Sequence, residues 1–275
     1  MNIILTVCRK ELKDGLRNRW LLGVSLIFAL LAVGLAYFGA AAAGRVGFTS
    51  LSSTVVSLAS LAVFIIPLIA LMLAYDSLVG EEENGTLLLL LSYPLARWQL
   101  LLGKLLGHGT LLALATLLGF GAAALILGLF AETLVWSELL PAFGLFILSA
   151  ILLGWIFIAF AYLISASVSE KSRAAGLALV LWFLFVLAFD LGLLGLLVMT
   201  EGNLNAQLFP YLLLLNPTDI FRLIHISYFA EEQLSGLMAI AQHVRLGTAT
   251  LFATLVLWLV LPVLLALWRF NRRKI

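Results

Sequence analysis

Three consecutive carboxylates, Glu81, Glu82 and Glu83, form the densest acidic cluster in a chain of 275 residues. Adjacent positions on a helix do not face one another, so these acids point in different directions and do not converge on a metal ion. Hydrolytic acid–base chemistry needs a second group opposite them. His108, His225 and His243 are widely separated and the acids lie outside the apolar runs, which argues against an intramembrane protease. Cys8 is the single cysteine, so no intramolecular disulfide forms, and it is read as an inert thiol near the membrane surface. Soft-metal ligation needs Cys, Met or His at helical spacing; Met72, Met199 and His108 have no such partner and read as packing residues. The only internal Gly-Lys, Gly103-Lys104, is followed by Leu105 and has Trp98 where a phosphate loop needs its first glycine. No catalytic residue, metal ligand or bound cofactor is therefore assigned to this chain.

The remaining acid of interest, Asp190, sits deep inside an apolar run, AFDLGLL. A charge in hydrocarbon costs at least about 2.5 kcal/mol, so it must face the protein interior, a dimer seam or the outer interface. Two roles fit: a polar element that moves between states, or a residue near the outer boundary paired with a backbone or hydroxyl donor.

Positioning these groups is the task of a membrane protein. The chain is 64% hydrophobic and 11% charged, against roughly half and a quarter for soluble domains. A net charge of +2 gives no reason to expect nucleic acid as a partner. Stretches long enough to cross about 30 Å of hydrocarbon occur at 20–43, 55–75, 100–130, 139–167, 174–199 and 248–268. With six spans and the N-terminus inside, thirteen of the 16 basic residues are cytoplasmic, and only Arg45, Arg222 and Arg245 are outside. That split satisfies the positive-inside rule and places both termini in the cytoplasm. The expected fold is an all-α integral membrane protein with one transmembrane domain over 1–275.

Residues 1–19 read as an amphipathic helix lying on the membrane, with Ile4, Leu5, Cys8, Leu12 and Leu16 opposite Arg9, Lys10, Lys13 and Arg17. The outer segment, 200–247, contains LFPYLLLLNP, too short to cross and read as an interfacial or re-entrant helix. Small residues at Gly103 and Gly107, Gly119 and Gly121, and Gly192 and Gly195 permit close helix contacts. In the cytoplasmic loop 76–99 the acids are wet, Asn84-Gly85 marks a turn, and Thr86 is placed to cap Leu87 to Leu91. Such a helix rises only about 9 Å and is apolar all round, so it needs a cover. Pro94 suits the first turn of the next helix, which carries Arg97 and Lys104. Either the leucines rest on the protein's own helices in a solvated loop, or the loop docks into a cytoplasmic partner.

GEEENGTLLLLLSYPLARWQLLLGK resembles the signature of type-2 ATP-binding-cassette permeases. CRKELKDGLRNRW, SEKSRAAGLAL and LLLLNPTDIFRLI are similar, within that family, to the permease subunits of systems that mature the copper centres of nitrous oxide reductase. The resemblance covers the whole chain. It implies a homodimer in the bacterial inner membrane, in contact with lipid and bound to a separate cytoplasmic ATPase that carries ATP and Mg. It also implies a periplasmic partner that handles copper. Glu81, Glu82, Glu83, Gly85, Thr86, Pro94 and Arg97 then correspond to the coupling helix seated in the ATPase, with Glu170, Lys171 and Arg173 as a second contact. Asn216, Pro217, Asp219 and Arg222 correspond to the region facing the periplasmic partner; independently, Asn216 or Thr218 can cap a helix there with Asp219 in its first turn. The expected action is mechanical transmission across the membrane. The alternative is an exporter of a lipid-linked, sulfur-containing or other small substrate along a route lined by Trp155, Tyr162 and Trp182.

Overall fold

The computed structural model describes residues 3–39, 47–48, 50–131, 134–200, 209–229 and 246–273. Most of the outer segment, with His243 and Arg245, lies outside the described residues, as do Arg45 and Lys274. In chain order the helices are α1 (Ile3–Arg17), α2 (Trp20–Phe38), α3 (Leu51–Ala74), α4 (Val79–Glu83), α5 (Thr86–Ser92), α6 (Arg97–Phe130) and α7 (Trp136–Ser165). Then come α8 (Lys171–Phe183), a π-helical turn (Leu184–Ala188), α9 (Phe189–Met199), α10 (Phe209–Leu213), α11 (Pro217–Tyr228) and α12 (Thr248–Arg272). No strand occurs among the described residues.

Among the described residues, six segments are long and apolar enough to cross a membrane: α2, α3 continuing into α4, α6, α7, α8 continuing through the π turn into α9, and α12. Each overlaps an expected span, with ends displaced by a few residues because polar side chains at the rims still adopt helical backbone. α6 and α7 form the centre, with α1 and α2 packed on α6, and α3 and α12 on α7. Their contact is aromatic: Phe28 stacks on Phe120 at 4.8 Å, and Phe120 meets Phe146 edge-on at 4.8 Å.

Glycines on α6 set the distance to α1 and α2. A Cβ at Gly103 would lie 2.7 Å from Val7 Cβ, one at Gly107 2.6 Å from Glu11 Cβ, and one at Gly119 2.7 Å from the Ser25 carbonyl. Gly121, Gly192 and Gly195 face open space, so only half of the expected glycine contacts form within the chain. This packing also corrects the inner face of α1. Ile4, Val7, Cys8, Glu11 and Gly15 turn toward α6, whereas Leu5 and Leu16 are exposed. An acid thus occupies the middle of the buried stripe.

α11 is wedged among α3, α7 and α12 with most of its side chains buried. Its start is anchored at the π turn, where the Phe185 carbonyl accepts from Asn216 Nδ2 at 2.8 Å and Thr218 Oγ1 at 3.2 Å. A π turn shifts the helix to i to i+5 bonding and leaves carbonyl capacity for such partners.

Candidate functional site

The three glutamates end α4, a five-residue helix whose first two amides, Leu78 and Val79 N–H, donate to Ser165 Oγ of α7 at 3.0 and 3.1 Å. From that fixed start the acids diverge, as adjacent helical positions must, and each reaches a different element. Glu81 Oε1 lies 2.7 Å from Lys104 Nζ on α6. Glu82 pairs with the Arg273 guanidinium just past α12. Glu83 Oε1 accepts the Lys171 backbone N–H at 2.7 Å, supplying α8 with the N-terminal cap that its own Glu170 does not provide. The expectation of wet acids is therefore corrected: Glu81 and Glu82 are partly buried, and all three have partners within the chain.

Arg97 is committed in the same way. Its Nη1 donates to the carbonyls of Phe270, Asn271 and Arg273 at 2.9, 3.1 and 2.7 Å, closing the C-terminal end of α12, where unpaired carbonyls carry partial negative charge. Arg273 in turn donates to the Ser165 and Val168 carbonyls beyond α7. In the second loop, Lys171 pairs with Asp76 at 2.7 Å, and Glu170 with Arg173 at 2.9 Å. Ends of α4, α6, α7, α8 and α12 thus meet in one polar knot.

Two local expectations are corrected. Gly85, at φ 69°, starts α5 in the left-handed region that glycine tolerates, and Thr86 donates back to the Glu81 carbonyl at 3.1 Å instead of capping. Pro94 precedes α6, which begins at Arg97 after Ala96. Of α5 itself, Leu87 is buried while Leu88, Leu89 and, just beyond, Tyr93 are exposed. This is the apolar surface on the loop that the chain leaves uncovered.

Beneath the knot runs a network missed from sequence. Glu11 of α1 lies 2.9 Å from Lys104 Nζ, so one buried ammonium holds two carboxylates, Glu11 and Glu81. His108 Nε2 lies 3.6 Å from Glu11 Oε2, and its Nδ1 is 2.7 Å from Tyr162 Oη. Burial alone would raise the Glu11 carboxyl, but Lys104, by charge and hydrogen bond, and Lys10 beyond it hold it at about 2. The signal available beforehand was an acid in register with Val7 and Cys8, facing the Gly103 and Gly107 pair.

At the opposite end of the bundle, Arg222 Nη1 of α11 bridges Asp190 Oδ2 of α9 at 2.6 Å and Asp219 Oδ1 at 3.1 Å. Asp219 also accepts from Asn216 Nδ2 at 3.0 Å, and Asn216 Oδ1 caps the Thr218 amide at 3.0 Å. The helix-start reading of this stretch thus describes its geometry. Asn216, Pro217 and Asp219 are buried inside the chain, and Arg222 is largely so; as placed, they order α11 against α9 and do not present a surface to a partner. Asp190 has an arginine for its partner, which neither of its anticipated roles named.

His225 is buried with Nε2 3.0 Å from Ser149 Oγ, Met72 and Met199 are exposed, and no metal-binding group of three His, Cys, Asp or Glu occurs among the described residues. That serine and histidine are both fully buried, and Ser149 Oγ also donates to the Leu145 and Phe146 carbonyls, so the pair is enclosed in helix packing. Side-chain and backbone contacts link the short helix α4 to the ends of several spans.

Relatives with the same full-length layout are known. The chain is 57% identical over 99% of its length to a protein of Stutzerimonas stutzeri named probable ABC transporter permease protein NosY, covering 99% of that protein. It is 57% identical over its whole length to a protein of the same name from Pseudomonas aeruginosa, covering 100% of it. Residues 5–275 match the family described as ABC-2 family transporter protein. Long apolar helices, most of them joined at their ends through α4 and its flanking residues, accord with that match: the chain belongs to the ABC-2 transporter family, as a multi-pass permease.

Proposed function

We propose that this permease is the homodimeric membrane subunit of an inner-membrane complex, with both termini cytoplasmic, in which a separate ATPase binds ATP and Mg and docks on α5. Closure of the ATPase moves α5, and the outer end of the bundle transmits that motion to a periplasmic partner that loads copper for nitrous oxide reductase. The copper assignment rests on the sequence resemblance and on the name carried by the two relatives. Transmission would run to the outer side through α9 and α11, which Arg222 joins to each other. The uncovered Leu88, Leu89 and Tyr93 beside three glutamates tied to α6, α8 and the end of α12 support the coupling role most directly. A push on this surface is delivered to three spans at once.

Mechanical transmission is favoured over export of a small substrate because the aromatic groups that would line a route are tied into packing. Trp155 donates to the Gly109 carbonyl, Trp182 to the Phe64 carbonyl, and the Tyr162 hydroxyl meets His108.

The test is Leu88→Asp with Leu89→Asp, co-expressed with the partner ATPase. Both side chains are exposed, so the permease should keep its thermal stability in detergent while losing the ATPase on purification. An ATPase that co-purifies unchanged would overturn the docking assignment. Lysine at positions 81–83 would be a poorer probe, since Glu81→Lys places a second ammonium beside Lys104 and destabilises the chain itself.

A further inference from the structure

At the cytoplasmic end of α12 a cavity of about 250 Å³ is lined by Ala166, Ser167, Val168, Ser169, Arg269, Arg272 and Arg273. Drug-sized ligands fill about 300–1,000 Å³, so this space suits a smaller group. Its charge is one-sided. Arg273 is neutralised by Glu82 and saturated by the Ser165 and Val168 carbonyls. Arg269 and Arg272 are exposed and have no carboxylate partner among the described residues. Both guanidiniums lie instead against Trp268, at 5.9 and 4.6 Å from its ring centre. Two guanidiniums without a carboxylate, beside the Ser169 hydroxyl, form a site for an anionic phosphate group, while Ser167 donates its own hydroxyl proton to the Leu163 carbonyl.

The source of that phosphate follows from the face below it. Leu257, Leu261, Leu264, Leu265 and Trp268 are all exposed and recur at the three- and four-residue spacing that places them on one side of α12, and Arg272 continues the row. A tryptophan between an apolar stripe and arginines marks the membrane–water interface. An acyl chain lying along the stripe delivers its headgroup to the cavity; a free anion would make no use of the stripe. We propose that this cavity is a binding site for the phosphate of an anionic phospholipid, held by Arg269 and Arg272 with Ser169 at the rim.

The full chain is solubilised with an equimolar mixture of phosphatidylglycerol and phosphatidylcholine, and retained lipid is read by native mass spectrometry. The chain should retain phosphatidylglycerol preferentially. Arg269→Gln with Arg272→Gln should reduce that preference about thirtyfold, about fivefold per lost charge. Arg269→Lys with Arg272→Lys should keep most of it. Thermal unfolding in phosphatidylcholine alone, unchanged between these variants, certifies that both are folded; if the Gln pair unfolds early, the Lys pair and the competitors below decide. Arg9→Gln with Lys13→Gln removes the same charge from α1 and should leave the preference intact; an equal loss there means general attraction to a basic surface and overturns the site. Inorganic phosphate at matched concentration should not displace the lipid, and displacement assigns the cavity to a free anion. If the Gln pair loses a co-purifying ATPase but keeps its lipid, the arginines serve a protein partner and the proposal fails.

Discussion

Lys104 Nζ lies 2.7 Å from Glu81 and 2.9 Å from Glu11, with its side chain 4% exposed, so a single ammonium joins the amphipathic α1 to α4 through α6. Replacing it with methionine leaves two carboxylates facing each other in a site built for a cation. Breaking a buried pair by removing one partner costs about 3–5 kcal/mol. Lys104→Met should lose that much in detergent unfolding, and adding Glu11→Gln should restore part of it. Independent losses in the double variant would mean the two groups are not coupled.

The same site makes stability depend on acid. Glu11 is held at about 2, below its ordinary 4.5. A depressed carboxyl contributes stability that is fully present above the ordinary value and is lost as pH falls toward the folded value. The full shift corresponds to about 3 kcal/mol. Unfolding midpoints should therefore fall between about pH 5 and pH 2, and Glu11→Gln should flatten that slope while lowering stability at neutral pH. A slope identical in the variant would assign the acid sensitivity elsewhere.

Glu83 caps a helix that begins 88 residues later in the chain. Glu83→Ala should cost about 1 kcal/mol, within the range of lost N-caps, and Glu83→Gln less because an amide oxygen still accepts. Faster hydrogen exchange confined to amides at the start of α8 is the expected signature.

Arg222 stands between Asp190 and Asp219, so the two sides of the cluster should respond unequally. Arg222→Met leaves two acids without a cation and should cost about 3–5 kcal/mol. Asp190→Asn also relieves the repulsion between the acids and should cost no more than about 1.5 kcal/mol. Equal losses would show that the acids do not sense each other.

Glycine position decides the sign of a methyl. Gly107→Ala drives a Cβ to 2.6 Å from Glu11 and should cost about 1–3 kcal/mol, the range for overpacking. Gly121 faces open space, so Gly121→Ala should stabilise the chain by about 0.5–1 kcal/mol through backbone entropy. Thermal shifts of opposite sign for the two are the outcome to look for.

A helical membrane protein, six apolar stretches that overlap the observed long helices, and a helix starting at Asn216 or Thr218 are all legible in the order of residues alone. These follow from local rules: apolar length against bilayer thickness, and a side-chain oxygen placed two residues before an unpaired amide. The sequence also marked 76–99 and Arg222 as worth explaining, because charge is scarce in such a chain. What those charges touch depends on how the helices pack. Glu82 meets Arg273, Glu83 meets Lys171 and Asp190 meets Arg222, pairings whose partners lie far apart along the chain. Glu11 escaped notice because helical spacing locates a side chain on a face, while the neighbour across that face is chosen by packing. Here the close approach permitted by Gly103 and Gly107 turned an apparent surface acid into the buried partner of Lys104.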